Sequence, residues 1–222
     1  GDSMADHWAP LVADFAKTAK LSGRQVTNGG CAPLISGRVP MPEARKEAEC
    51  AAYASELERF IVGNPSLKLI VVSAYWSKWL GYLDGGDRGS AGAFEKSLRT
   101  SIEKMRSRGA RIHFIGQMPG FSRLPLRCLI SVVERGGNFD ACGQNSRELL
   151  AVTQPIDAIL RKVAGDSSGL SISLPRDFMC QAAMCSPMMA REQLPIAMSN
   201  SASSKRRSFS ASAPSRSRAF NS

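Results

Sequence analysis

The stretch 67-LKLIVVSAYW-76 and the later stretch 109-GARIHFIGQMPGF-121 are continuous apolar runs that end in polar or glycine residues. Such runs are typical of strands that are buried on both faces of a parallel sheet. A further strand is predicted in 169-GLSISLP-175, and a short one at the start of 24-RQVTNGGCAPL-34, which runs into a Gly-Gly turn. Helical periodicity separates these runs, so the chain is predicted to be an α/β protein.

Apolar residues recur at helical spacing between the predicted strands. Helices are predicted at about residues 5–20, 42–62, 94–108 and 146–163, the last of them broken near Pro155. Strands that alternate with such helices form right-handed βαβ units, which place helices on both faces of a parallel sheet. The expected architecture is therefore a three-layer α/β/α fold.

The net charge of +10 is concentrated at the C-terminal end of the chain. Residues 198–222 contain ten serines and five cationic residues but no acidic residue, which accounts for half of the excess charge. The remaining chain has no basic stripe interleaved with aromatic residues, so a nucleic-acid partner is not expected. No apolar run approaches the ~18 residues that a membrane span requires.

Beyond about Met188 the periodicity gives way to Ser/Arg/Ala-rich sequence. Such a composition cannot bury enough apolar surface to fold. We therefore expect one folded domain over residues 1–187, followed by a disordered tail over residues 188–222.

Six cysteines are spread along the chain, none of them with Cys-x-x-Cys spacing, and only two histidines accompany them, so no zinc site is expected. Their even number suits the disulfides of an oxidising compartment. Of the fifteen ways to pair six cysteines, the simplest joins sequence neighbours, while buried free thiols are the alternative. The sequence-neighbour pairs are Cys31–Cys50, Cys128–Cys142 (expected within a loop) and Cys180–Cys185.

The tripeptide Gly1-Asp2-Ser3 stands directly before the first predicted helix. In one interpretation Ser3 caps this helix, its hydroxyl accepting a backbone N–H of the first turn. In the other, Ser3 is an exposed nucleophile on a strand-to-helix turn, where the helix dipole and free N–H groups stabilise a developing oxyanion. Three residues alone do not decide between the two.

Five blocks taken together are more specific: GDSMADHWAPLV, NGGCAPL, LIVVSAYWSKW, IHFIGQMPGF and LPRDFMCQAAMC. In this order they resemble the SGNH hydrolase/acyltransferase superfamily. In particular, they resemble the extracytoplasmic SGNH domain of membrane acyltransferases that O-acetylate bacterial surface polysaccharides. The resemblance extends from Gly1 to about Cys185.

The resemblance implies a flavodoxin-like SGNH fold whose first strand should precede Gly1. It implies neither a cofactor nor a metal. The implied partners are a carbohydrate acceptor, an acyl donor and the membrane acyltransferase domain of the parent protein. The implied location is the periplasm, or the extracytoplasmic face of the inner membrane.

The resemblance also assigns roles to single residues. Ser3 matches the nucleophile, and its backbone N–H would form the oxyanion hole together with that of Gly30. The family's Asn block falls at SAYWSKW, which has no Asn, so Ser73 or Trp76 occupies the neighbourhood of a third donor. A turn that needs positive φ is the alternative interpretation of residues 28–30. The further site candidates are Asp2, Asn28, Gly29 and Trp76.

The chain departs from the family pattern in two places. The family usually has a histidine directly after Gly-Asp-Ser, where Met4 stands here. Its last block, an Asp-x-x-His that brings the general base to the serine, should follow LPRDFMCQAAMC, yet no histidine occurs after His113. Without an imidazole from that block, Ser3 has no visible general base.

Three other residues are weak substitutes for that base. His7 stands about one helical turn after Ser3, where a ring lying along the helix is poorly placed to take the serine proton. His113 lies inside a predicted buried strand and is expected to be a core histidine. Asp177 matches a family position near the exit of the last strand, but a lone carboxylate there is typical of a solvated loop or a helix cap.

Two functions of different classes are consistent with these residues. The first is O-acyl, chiefly acetyl, transfer to a bacterial cell-surface carbohydrate, or ester hydrolysis on it, through Ser3 as nucleophile. Trp76 or Trp79 would suit such a sugar as a stacking wall, although tryptophans in this setting are more often core residues. The alternative is a catalytically inactive sugar-binding or scaffold module whose triad has decayed.

We hypothesise that a reading-frame shift in the coding DNA has removed the last block, since the family pattern stops where the Ser/Arg-rich sequence takes over. We therefore expect the DNA that encodes residues 179–222 to carry an Asp-x-x-His motif in a neighbouring frame. Resequencing this region and translating all three frames tests the expectation. A confirmed sequence without the motif in any frame would contradict it and would favour the inactive module.

Overall fold

A computed structural model of the chain describes residues 1–35, 39–85, 92–121, 125–181 and 183–186. The strands, in chain order, are β1 Leu69–Ser73, β2 Arg111–Ile115, β3 Gln144–Asn145, β4 Leu170–Ser173, β5 Cys180–Gln181 and β6 Met184–Cys185. The α-helices are α1 Ala5–Thr18, α2 Ala44–Gly63, α3 Trp76–Leu80, α4 Ala93–Arg106, α5 Pro125–Arg135, α6 Ser146–Ala151, α7 Gln154–Gly165 and α8 Arg176–Met179. A π-helical turn spans Gly81–Gly85, and a 3-10 turn spans Phe139–Cys142.

The main sheet is parallel, with the strand order β1–β2–β4. In its register Val71 stands beside His113, which in turn stands beside Ser171. Parallel neighbours need long crossover connections, and helices supply them here. A parallel sheet flanked by helices confirms the predicted α/β fold.

The main core lies on the face of the sheet that carries Val72, Ile112 and Phe114. Helices α2, α4 and α7 cover this face with buried apolar side chains. Helix α1 contacts β1 and buries Trp8, which is not part of that core. The side chains contributed by the covering helices are Ile61, Phe94, Leu98, Ile102, Met105, Ile156, Leu160 and Val163.

Three disulfides join the cysteines as sequence neighbours, and this confirms the predicted pairing. Cys31–Cys50 ties the segment after the Gly-Gly turn to α2, while Cys128–Cys142 ties α5 to the 3-10 turn. Cys180–Cys185 closes the hairpin of a second, antiparallel sheet with the order β3–β6–β5. No cysteine of the described chain is free.

Two local predictions are wrong. The start of residues 24–34 is not a strand, because within the described chain it pairs with no strand of either sheet. It is bonded instead to the turn at Gly1, whose nitrogen donates to the Val26 carbonyl and whose carbonyl accepts from the Asn28 N–H. The region around Cys128 is the helix α5 and not a loop. Its apolar residues do recur at helical spacing, but Leu126 and Val133 are 68% and 66% exposed.

The break in the fourth predicted helix is confirmed, since α6 ends before Pro155 and α7 begins beside it. Proline suits the first turn of a helix because its missing N–H would have no partner there. The predicted tail boundary at residue 187 and the whole tail, 188–222, lie outside the described residues. The tail therefore stays a prediction.

Replacing Cys31 and Cys50 together by alanine is expected to lower the free energy of unfolding by about 3 kcal/mol, because the bridge closes a loop of 19 residues. Urea unfolding of both proteins under oxidising conditions measures this loss. The double alanine variant of Cys180 and Cys185, which are only 5 residues apart, is the matched control and is expected to lose about 2 kcal/mol. A loss below about 1 kcal/mol for the first variant would contradict the expectation.

Candidate active site

The carboxylate of Asp2 is buried, with 2% of the residue exposed, and it accepts three hydrogen bonds. Oδ1 accepts from the Met4 N–H at 2.8 Å. Oδ2 accepts from the Tyr75 N–H at 2.9 Å and from the indole N–H of Trp79 at 2.8 Å. A buried carboxylate is stable only with such partners. Asp2 therefore joins the turn before α1 to the end of β1 and to α3.

Gly1 allows this turn to lie close against β1. A Cβ atom at Gly1 would stand 2.2 Å from the Cβ of Ala5 and 2.6 Å from the Ser73 carbonyl oxygen. Neither neighbour can give way easily, because one belongs to the first turn of α1 and the other is the backbone of a sheet strand. The glycine is thus required by the close approach of two backbones.

Ser3 is exposed at the start of α1. The helix is capped at Met4, without any side-chain cap, so the interpretation of Ser3 as the N-cap is wrong. Within the described chain neither the hydroxyl nor the backbone N–H of Ser3 forms a hydrogen bond. Both groups are therefore available to a ligand at this edge of the sheet.

The Gly29-Gly30 loop lies directly beside Ser3. An ideal Cβ at Gly29 would stand 4.0 Å from the Cβ of Ser3. A tight turn closes the loop, with the Cys31 N–H donating to the Asn28 carbonyl, and Gly30 has φ +78°. The N–H groups of both glycines lack a partner within the described chain. The loop thus combines the predicted turn with free donors next to the serine.

Trp76 and Trp79 are both fully buried. The indole N–H of Trp76 donates to the Ile115 carbonyl, and its ring packs edge-on against Phe114 at 5.5 Å between centroids. Because neither indole presents a face to a ligand, the expectation of a tryptophan stacking wall is wrong.

Tyr75 is an aromatic residue at this edge that the sequence interpretation missed. It is 45% exposed, and its N–H donates to Asp2, the residue before Ser3. Its position in the sequence could have indicated it, because Tyr75 follows the predicted strand in the block LIVVSAYWSKW, and ligands of parallel sheets bind just beyond the strand ends. Ser73, by contrast, is buried, and its hydroxyl has no partner within the described residues.

The remaining candidate acids and bases have other partners. His113 is buried in β2, and its Nδ1 lies 2.8 Å from the hydroxyl of Ser171. Burial lowers the pKa of His113, so the ring is neutral and behaves as the core histidine that was expected. Asp177 accepts two hydrogen bonds from Arg161, each of 2.8 Å. His7 is an exposed residue of α1.

Among the described residues, no cluster of three or more His, Cys, Asp or Glu is arranged to hold a metal ion. The same residues contain no helix that is long and apolar enough to cross a bilayer.

The family model of the SGNH domain that is fused to AT3 domains matches residues 1–196. The chain belongs to this family. The match begins at the Gly-Asp-Ser turn and passes the predicted domain boundary at residue 187. No curated protein and no solved structure matches the chain.

Membership in the SGNH family gives the chain an acyl-related hydrolase or transferase class. The fusion named by the family also indicates a membrane acyltransferase domain as its partner, and hence a place as one domain of a membrane protein. Within this SGNH domain, the buried Asp2 holds the serine turn against the sheet.

Replacing Asp2 by Asn is expected to lower the free energy of unfolding by about 2–4 kcal/mol. An amide has one acceptor oxygen, so its NH2 group must face at least one of the three N–H donors that the carboxylate now satisfies. Urea unfolding measures the loss. The exposed Asp14 of α1, changed to Asn, is the matched control, and equal stabilities of the two variants would contradict the role of Asp2.

Proposed function

We propose that this domain transfers an acyl group, chiefly acetyl, to a bacterial cell-surface carbohydrate, or hydrolyses such an ester, with Ser3 as the nucleophile. The observation that carries the proposal is the exposed Ser3, whose hydroxyl and N–H have no partner among the described residues, beside a glycine loop whose N–H groups have none there either. The acyl-related class of the family supports the same chemistry. The site faces the periplasm, or the outer face of the inner membrane, in this proposal.

In the first step the Ser3 hydroxyl attacks the carbonyl carbon of the acyl donor and gives its proton to a general base. The oxyanion of the tetrahedral intermediate accepts hydrogen bonds from the N–H groups of Ser3 and Gly30. Each donor of this kind contributes about 10²–10³ in rate to acyl transfer. Collapse of the intermediate expels the donor's leaving group, and leaves the acyl group on Ser3.

In the second step a sugar hydroxyl, or water, attacks the acyl-enzyme and regenerates the serine. The exposed ring of Tyr75 at the same edge is our candidate for contact with the sugar. The general base of both steps is the histidine of the Asp-x-x-His block, which we expect to be encoded in a neighbouring reading frame.

One observation favours the alternative of an inactive carbohydrate-binding module. Within the described chain no histidine contacts the Ser3 hydroxyl, and the neutral ring of His113 lies against Ser171 in the sheet. A serine without a base keeps the N–H donors beside it but reacts slowly.

Labelling with a fluorophosphonate probe distinguishes the two functions, because only an activated serine reacts rapidly with it. A chain that carries the Asp-x-x-His block in frame is expected to be labelled at Ser3, as shown by peptide mass mapping, and Ser3→Ala in that chain is expected to abolish both labelling and the hydrolysis of p-nitrophenyl acetate. Ser55→Ala is the matched control, since Ser55 is an exposed helical serine whose hydroxyl donates to the Ala51 carbonyl.

Labelling that persists in Ser3→Ala would contradict Ser3 as the nucleophile. No labelling of the chain that carries the Asp-x-x-His block would favour the inactive module. Acetylated oligosaccharide that still binds to Ser3→Ala, and binds less to Tyr75→Ala, would then assign the site to recognition.

A further inference from the structure

Lys46 of α2 holds the glycine loop beside Ser3. Its Nζ donates to the Gly29 carbonyl at 2.9 Å and to Oε1 of Glu49 at 2.8 Å. Cys50 stands one helical turn further along α2 and is bonded to Cys31, directly after the loop. Two neighbouring positions on one side of α2 therefore fix the loop, one by a disulfide and one by a charged donor.

The hydrogen bond to Gly29 fixes the direction of the next N–H. The Gly29 carbonyl and the Gly30 N–H belong to one peptide unit, and the chain has no cis peptide bond in its described part. In a trans peptide these two groups point in opposite directions. A carbonyl held on Lys46 thus turns the Gly30 N–H away from α2, and that N–H has no partner within the described chain.

The side chain of Lys46 also packs against the loop along its stem. An ideal Cβ at Gly30 would stand 3.2 Å from Cε of Lys46, so the lysine lies on the side of Gly30 where other residues carry a side chain. Glu49 in turn holds Lys46. Hydrogen bonding from Lys46, and to a lesser extent from the amide of Asn28, lowers the pKa of Glu49. Glu49 thus contacts both Lys46 and Asn28, the residue that begins the glycine turn.

We infer that Lys46 is a positioning residue of the oxyanion hole: by binding the Gly29 carbonyl, it directs the Gly30 N–H toward the acyl oxygen and polarises that peptide. This inference rests on the proposed function of Ser3. A cation on the carbonyl of a peptide draws electron density from its N–H, which strengthens the hydrogen bond to an oxyanion. Lys46 itself does not touch the substrate.

The test replaces Lys46 by Met, which keeps the apolar stem but removes the donor, and by Arg, which keeps a cationic donor. Lys96→Met is the matched control, since Lys96 is an exposed residue of α4. Two readouts are taken on the chain that carries the Asp-x-x-His block in frame: the rate of fluorophosphonate labelling of Ser3, and the amide resonance of Gly30 in a nitrogen–proton NMR spectrum. Lys46→Met is expected to slow labelling about tenfold, less than the loss of a whole donor, because the N–H is misdirected and not removed.

The expected result is a shifted Gly30 resonance and slower labelling in Lys46→Met, recovery of both in Lys46→Arg, and no change in Lys96→Met. An unchanged Gly30 resonance together with an unchanged labelling rate in Lys46→Met would overturn the inference and leave the proposed function intact. Absence of labelling in the chain that carries the Asp-x-x-His block would instead overturn the proposed function, and the Gly30 resonance alone would then decide whether Lys46 orients this peptide. If Lys46→Met lowers the unfolding midpoint, Glu49→Gln gives the same test with a smaller shift.

Discussion

The three hydrogen bonds of the Asp2 carboxylate are the constraint on which the rest of the site depends. Two of them join the serine turn to a segment that lies 73 to 77 residues further along the chain, where Tyr75 follows the end of β1 and Trp79 belongs to α3. Since a buried carboxylate with fewer partners would be costly, the turn has one favourable position against the sheet. Ser3 follows Asp2 directly, so its exposure at the sheet edge is a consequence of that position. Because Gly1 has no side chain, the backbone of the turn can also lie against the backbone of β1 at Ser73.

The periodic features of the sequence predicted most of the fold. Continuous apolar runs gave β1 and β2, and helical spacing gave α1, α2, α4 and the broken pair α6 and α7, because burial in the core imposes those patterns. Helix α5 was missed although its pattern is helical, since much of its apolar face is exposed and the segment between two cysteines was interpreted as a loop. The small antiparallel sheet has strands of only two residues, which leave no periodic signal.

The site was less predictable than the fold, for a physical reason. Ser3 and the glycine loop were found because a motif marks them, but the contacts that position them join distant residues through backbone groups. Lys46 binds the Gly29 carbonyl, and Asp2 accepts a bond from the Tyr75 N–H. Every residue type has such a carbonyl, and all but proline have such an N–H, so neither contact can be recognised from the sequence. Trp76 and Trp79 show the opposite error. In a sequence, a tryptophan after a strand is consistent both with stacking on a sugar and with packing in the core. The complete burial of Trp76 and Trp79 in the structure shows that both are core residues.

In the proposed mechanism, Ser3 and Gly30 together form an oxyanion hole on the turn that Asp2 fixes. A crystal structure of the chain after reaction with a phosphonate ester tests it most directly, because the phosphonyl oxygen takes the place of the oxyanion. We expect phosphorus bonded to the Ser3 oxygen, with one phosphonyl oxygen about 2.7–3.1 Å from the backbone nitrogens of both Ser3 and Gly30. An adduct whose oxygen points away from the glycine loop, or an adduct on another residue, would contradict it.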